Sequence, residues 1–108
     1  MSEMKQYCVV IFTSTLAVDS DARYQEWSMR MEQLVVGQPG YISHFGFRDS
    51  QTRHGVTISY FLDEESIENW KALSEHLEAQ QLGREDFYEN YEVKVGTINR
   101  EYGWSRES

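Results

Sequence analysis

The sequence predicts a two-layer α+β fold with elements in the order β-α-β-β-α-β. Three observations carry that prediction. Residues 6–15, QYCVVIFTST, are β-branched and aromatic, and the unbroken apolar run Cys8–Phe12 reads as a strand buried on both faces. Two segments repeat apolar residues at helical spacing: Tyr24, Trp27, Met31, Leu34 and Val35, then Ile67, Trp70, Leu73 and Leu77. Between them lie two short strand-like stretches, GYISHFGFRD and GVTISYFL, joined by a polar segment. With 108 residues, the chain forms one domain with a single core.

Each element has a local justification. The first helix is expected at about residues 20–36. Asp19 or Ser20 caps its start, and Asp21 suits the positive end of its dipole. Gly37 and Pro39 stop it. In the next strand, Tyr41, Ser43, Phe45 and Phe47 point one way, and Ile42, His44, Gly46 and Arg48 the other. DSQTRH makes a hairpin too long for a two-residue turn. In the following strand Val56, Ile58, Tyr60 and Leu62 oppose Thr57, Ser59 and Phe61. Asp63 caps the second helix, and Gly83 punctuates it. REDFYENY reads as a further helical turn or two, and EVKVGTINREYGW as the last strand, with Gly96 as a bulge. This is the ferredoxin-like split βαβ pattern. Helices on one face leave the other face of the sheet uncovered. Bulky apolar groups on both sides of the strands predict that a second copy of the chain covers it. The alternative is a monomer with a polar outer face.

Charge and cysteine content narrow the function classes. Residues 63–92 hold ten acids against two bases, and the remainder of the chain is balanced, so the whole net charge of −8 falls in that segment. Such a run reads as a solvated helical face. No basic stripe exists to displace counterions, so nucleic acid is not an expected partner. The single cysteine, Cys8, lies in the apolar strand and reads as an inert core thiol. MSEMKQY has no apolar signal region, and no apolar run reaches membrane-spanning length, so no membrane partner and a cytoplasmic location are expected. The three histidines lack metal-ligand spacing, and no phosphate loop or Ser/His/Asp arrangement is present, so neither a metal nor another cofactor is expected.

Several motifs converge on one family. QPGY precedes the second strand. VTISYF runs into DEESIENW. His76, Gln80, Gly83 and Arg84 are followed by FYENYEVKV and then REYGW. Over about residues 6–104 the chain resembles the antibiotic biosynthesis monooxygenase domain family, and within it one bacterial subgroup. The resemblance implies a dimeric α+β barrel, in which two four-stranded sheets pack face to face with helices outside. It also implies a pocket in each subunit between sheet and helices. Some members of that family oxidise aromatic polyketides with O₂ and neither metal nor flavin. Relatives degrade haem, and others act on quinols or signalling molecules. Haem-degrading relatives use an asparagine on the first strand plus a tryptophan and a histidine on the second helix. Trp70 resembles that tryptophan. The first strand here has no asparagine, however, and His76 falls too early, with Gln80 nearer the ligating position. Haem degradation is therefore not expected.

The expected function is a cofactor-independent monooxygenase acting on a small aromatic or quinol-type substrate. His76 is the candidate base, since histidine suits proton transfer near neutral pH. Trp70, Tyr60 and Tyr88 are the candidate substrate-binding walls. His44, Arg48 and Ser59 join them if their strand face meets the helices. Tyr88 and Tyr91, three apart, share a face if the helix continues that far. The alternative is a non-enzymatic ligand-binding or stress-associated dimer of the same fold.

Overall fold

The computed structural model describes residues 6–80 and 87–106, the side chains of Asp21 and Ala79 apart. Its elements are β1 (Tyr7–Leu16), α1 (Asp21–Val35), β2 (Tyr41–Arg48), β3 (His54–Phe61), α2 (Glu64–Gln80) and β4 (Tyr88–Ile98). The expected order β-α-β-β-α-β is the one found. The four strands form one antiparallel sheet in the order β2-β3-β1-β4.

Register decides which side chains meet the helices. Cys8 pairs with Phe61, Val10 with Ser59 and Phe12 with Thr57 across β1 and β3. Phe12 pairs with Val93 and Val10 with Val95 across β1 and β4. Opposed residues share a face, so this set points to one side. Cys8 and Phe61 pack there against Val35 of α1 and Ile67 of α2, with Val10, Tyr41 and Trp70 around them. Phe61 is fully buried and anchors this cluster. A second, aromatic cluster lies toward the other end of β1. Trp27 packs on Phe87, Tyr24 meets Phe87 and Tyr88 edge-on, and Phe12 contacts both Tyr88 and Tyr91.

The outer side of the sheet carries Val9, Ile11, Val56, Ile58, Tyr60, Phe45 and Phe47. No helix among the described residues covers it, and Phe45 and Phe47 are exposed.

Local chemistry explains the boundaries. Asp63 caps α2 as expected: the Ser66 N–H donates to Asp63 Oδ1 at 2.8 Å and the Ser66 hydroxyl at 2.7 Å. These bonds hold the Asp63 carboxyl below its ordinary range. Ser20 occupies the cap position of α1, but its hydroxyl donates back to the Ala17 carbonyl at 2.7 Å and makes no cap bond. Gly40 takes φ +83 in the turn into β2, and a Cβ there would lie 2.0 Å from Ser66 Oγ. Only glycine passes the start of α2 this closely.

Three expectations about the strands are corrected. The register shift between Tyr41 and Ser43 places an extra residue, Ile42, in β2. Tyr41 therefore shares a face with His44, contrary to simple alternation. REDFYENY is not a helix across its second half: β4 begins at Tyr88, because Thr13–Leu16 of β1 extends far enough to pair with it. Residues 84–86 of that stretch, and Gly83, lie outside the described residues. Glu89 is bulged, with Leu16 opposite Tyr88 and Thr15 opposite Asn90. The bulge gives Tyr88 and Tyr91 a common face at a three-residue spacing, which mimics a helical pair. At its far end β4 stops at Ile98, short of the expected Trp104, since its partner Tyr7 is the first residue of β1.

Candidate functional site

The helices stand off from part of the sheet and leave a cleft of about 1310 Å³. Val10, Phe12 and Phe61 form its floor, Trp27 and Trp70 its helical walls, and Tyr88 closes one end. This is a concave, largely apolar site with a few polar groups, the usual form of a small-molecule pocket.

The first polar group is a histidine relay on β2. His44 lines the cleft. Its Nδ1 lies 2.7 Å from the Tyr41 hydroxyl, and its Nε2 lies 3.5 Å from Glu32 Oε1 on α1. The Ile42 bulge makes this possible by turning Tyr41 to the same face. Fixing Nδ1 on one partner orients the ring and assigns the other nitrogen its role.

The second group lies at the far end of β2. Arg48 is half-buried, pairs with Gly55 across the hairpin, and lies over the Tyr24 ring with its guanidinium carbon 5.1 Å from the centroid. One of its terminal nitrogens donates to the Arg53 carbonyl at 2.7 Å and the other to Ser14 Oγ at 2.7 Å. Arg53 itself takes a left-handed φ of 68, held there by bonds from its side chain to the Leu16 and Ala17 carbonyls. Tyr88 adjoins this group. Burial, foremost, and then Tyr24 and the charge of Glu78 push its phenol well above the ordinary tyrosine range.

The four expected site residues divide. Trp70 and Tyr88 line the cleft. Tyr60 does not: it pairs with Val9 and Ser43 on the outer side of the sheet, where its ring meets Tyr7. His76 does not line it either. Its ring is exposed on α2, and its side-chain partner is Gln80 at 3.4 Å. One residue before Leu77 on the stripe, it faces about 100° away from the core. His44 and Arg48 of β2 and Ser59 of β3 do line the cleft, together with Lys71, Ser74, Glu75 and Glu78 of α2. Tyr41, Glu32, Ser14 and Tyr24 are not legible as site residues in the sequence. Alternation puts Tyr41 on the wrong face, and the other three enter only through tertiary packing. Among the described residues no group of His, Cys, Asp and Glu is placed to hold a metal ion. No helix among them is long and apolar enough to cross a membrane.

Comparison with known proteins places this architecture. No protein-family model matches the chain. YqjZ, an uncharacterized protein of Bacillus subtilis, is 35% identical over 95 residues, covering 88% of this chain and 82% of YqjZ. The chain belongs to the YqjZ family. Its fold is that of the antibiotic biosynthesis monooxygenases. A putative enzyme of that name from Nitrosomonas europaea superposes with a TM-score of 0.71 at 10% identity, over 95% of this chain and 99% of its own. A point mutant of SnoaB from Streptomyces nogalater, a cofactor-independent oxygenase, gives a TM-score of 0.67 at 16% identity, over 91% and 97%. PA3566 from Pseudomonas aeruginosa gives 0.70 at 18%, over 94% and 100%. At these identities the likeness is one of fold. For this member of the YqjZ family, chemistry has to be argued from the cleft.

Proposed function

We propose that the protein is a cofactor-independent monooxygenase acting on a small, flat aromatic or quinol-type substrate, with His44 as the base. The carrying observation is the His44 ring, clamped between Tyr41 and Glu32 and facing an aromatic-walled cleft. In this reading Nδ1–H donates to the Tyr41 oxygen, and Nε2 accepts a proton from the substrate. Glu32 then balances the imidazolium. The substrate anion passes an electron to O₂, and the resulting radical pair joins as a hydroperoxide. Loss of water leaves a carbonyl. An activated CH₂ plus O₂ thus becomes C=O plus H₂O, and the electrons balance without a further reductant. Trp70, Trp27 and Phe12 would hold the ring system flat and dry, so the protein supplies position, desolvation and a base. The fold shared with SnoaB supports this chemistry. The base assigned from sequence, His76, gives way to His44, because an exposed ring outside the cleft cannot reach a bound substrate.

The same reading includes a homodimer. The uncovered apolar side of the sheet, with Phe45, Phe47, Ile58 and Tyr60, would pack on a second copy.

Oxygen uptake with an anthrone probe tests the proposal. Wild type should consume one O₂ per anthrone, and His44→Gln should slow this by about 10²–10⁴-fold, the usual contribution of a positioned base. No turnover of anthrones or quinols by wild type, or an unimpaired His44→Gln, would overturn it.

A further inference from the structure

We infer that the segment after β4 is an arm that clasps a second copy of the chain, with Tyr102 and Trp104 as its anchors. The inference rests on the homodimer proposed above and adds how that dimer is fastened. Tyr102 is 90% exposed and Trp104 81%. Rings of this size contribute most when buried against a partner, and both residue types are enriched at interfaces. Arg106 lies over the Trp104 ring, its guanidinium carbon 5.9 Å from the centroid, and the ring is otherwise open. A terminal segment keeps a fixed course only where it is tied down. This one is tied at two points. Gln6 Nε2 donates to Asn99 Oδ1 at 2.9 Å. The Glu101 carboxylate accepts the Tyr7 hydroxyl, which raises that phenol above its ordinary value.

These ties decide which side the arm leaves from. Tyr7 precedes Cys8 in β1, so its side chain points to the outer side of the sheet, where its ring meets Tyr60 at 5.7 Å. Glu101 therefore stands at the rim of that side, next to the bare surface of Val9, Ile11, Phe45, Ile58 and Tyr60. Arm and surface are continuous. Sheets that pack face to face lie about 10 Å apart. Arg100–Arg106, fully extended, reaches about 23 Å at about 3.3 Å per residue. An arm starting at this rim thus spans the gap and lies along the opposite subunit. In a two-fold pair the contact is made twice, each arm on the other copy. An arm gripping some other protein would leave the bare sheet face still to be covered. A second copy covers the sheet face and the two rings at once.

Sedimentation of the full chain over a dilution series, with NMR of a mixed dimer of ¹³C-labelled and unlabelled copies, tests the inference. In the mixed dimer the Tyr102 and Trp104 rings of one copy should give nuclear Overhauser contacts to the other copy. Tyr102→Ala and Trp104→Ala alter exposed positions and should leave each subunit folded, as circular dichroism checks. Each should raise the dimer dissociation constant about 10- to 100-fold, as truncating an aromatic anchor does. The double variant should be weaker than either. The inference is overturned if the double variant dimerises as tightly as wild type, or if the two rings contact only their own chain. Its failure is separable from failure of the dimer reading. A wild-type dimer that the double variant leaves unchanged sinks only the arm. A wild type that is monomeric at micromolar concentration sinks the dimer, and the arm with it.

Discussion

Two regions of this protein each present a histidine, and they differ in everything but the side chain. On α2, His76 is exposed, with Gln80 of the same helix beside it. On β2, His44 is mostly covered, and its two nitrogens face groups from two other places, Tyr41 beyond a bulge and Glu32 on α1. Catalytic use requires a fixed ring, an assigned nitrogen and a substrate within reach. The strand position holds its ring between two partners and lines the cleft, and the helix position does neither. Sequence spacing draws attention to α2, because Trp70 and His76 lie close together in the chain. Only Trp70 reaches the cleft.

Replacing each histidine in turn separates the two regions most sharply. His44→Gln is expected to lose about 10²–10⁴-fold in oxidation rate, or about 3–5 kcal/mol of transition-state stabilisation, and His76→Gln to stay near wild type. Steady-state oxygen uptake measures both. If His76→Gln is the slow variant, the roles of strand and helix are inverted.

The floor of the core and the wall of the cleft should also part company. Phe61 is fully buried between the two helices, so Phe61→Ala should cost about 3–5 kcal/mol in chemical denaturation. Trp70 is only half-buried, because one side of its ring faces the cleft. Trp70→Ala should therefore cost less, about 2 kcal/mol, while weakening binding of aromatic probes. Equal stability losses would place Trp70 in the core alone.

The two sides of the sheet differ in the same way. The helix side packs on α1 and α2 and carries His44 and Arg48, while the outer side carries Val9, Ile11, Phe45, Phe47, Val56, Ile58 and Tyr60 with no helix over it among the described residues. Sedimentation of wild type at micromolar concentration should give about twice the chain mass, and Ile58→Glu should give a monomer, as a charge in an obligate interface is not tolerated. A wild-type monomer of ordinary stability would contradict the dimer. The smallest expected effect is on α2: His76→Ala should change stability by less than about 0.5 kcal/mol, as surface positions do.

The fold is readable from the sequence because its signals are local. Strand alternation, two apolar stripes and the Asp63 cap each lie within a few residues. The site is readable only in part, since its partners are distant in the chain. Trp70 and Tyr88 follow from stripe and composition. Tyr41 does not, as an unmarked extra residue, Ile42, reverses its direction. Arg48 gains its meaning from Gly55 and Ser14, which meet it only through the hairpin register and the neighbouring strand. Tyr60 illustrates the reverse error. Its aromatic character suggests a pocket, but pairing with Val9 fixes it on the outer side.

Whether His44 is the group that meets the substrate can be read from the imidazole nitrogens themselves, in long-range ¹H–¹⁵N spectra of the uniformly labelled protein with a bound phenolic aromatic. Saturating 6-hydroxy-2-naphthoic acid should shift both ring nitrogens of His44, with the Nε2 resonance moving most, and leave those of His76 in place. A shift confined to His76, or a bound probe that leaves His44 unmoved, would contradict the assignment of the base to β2.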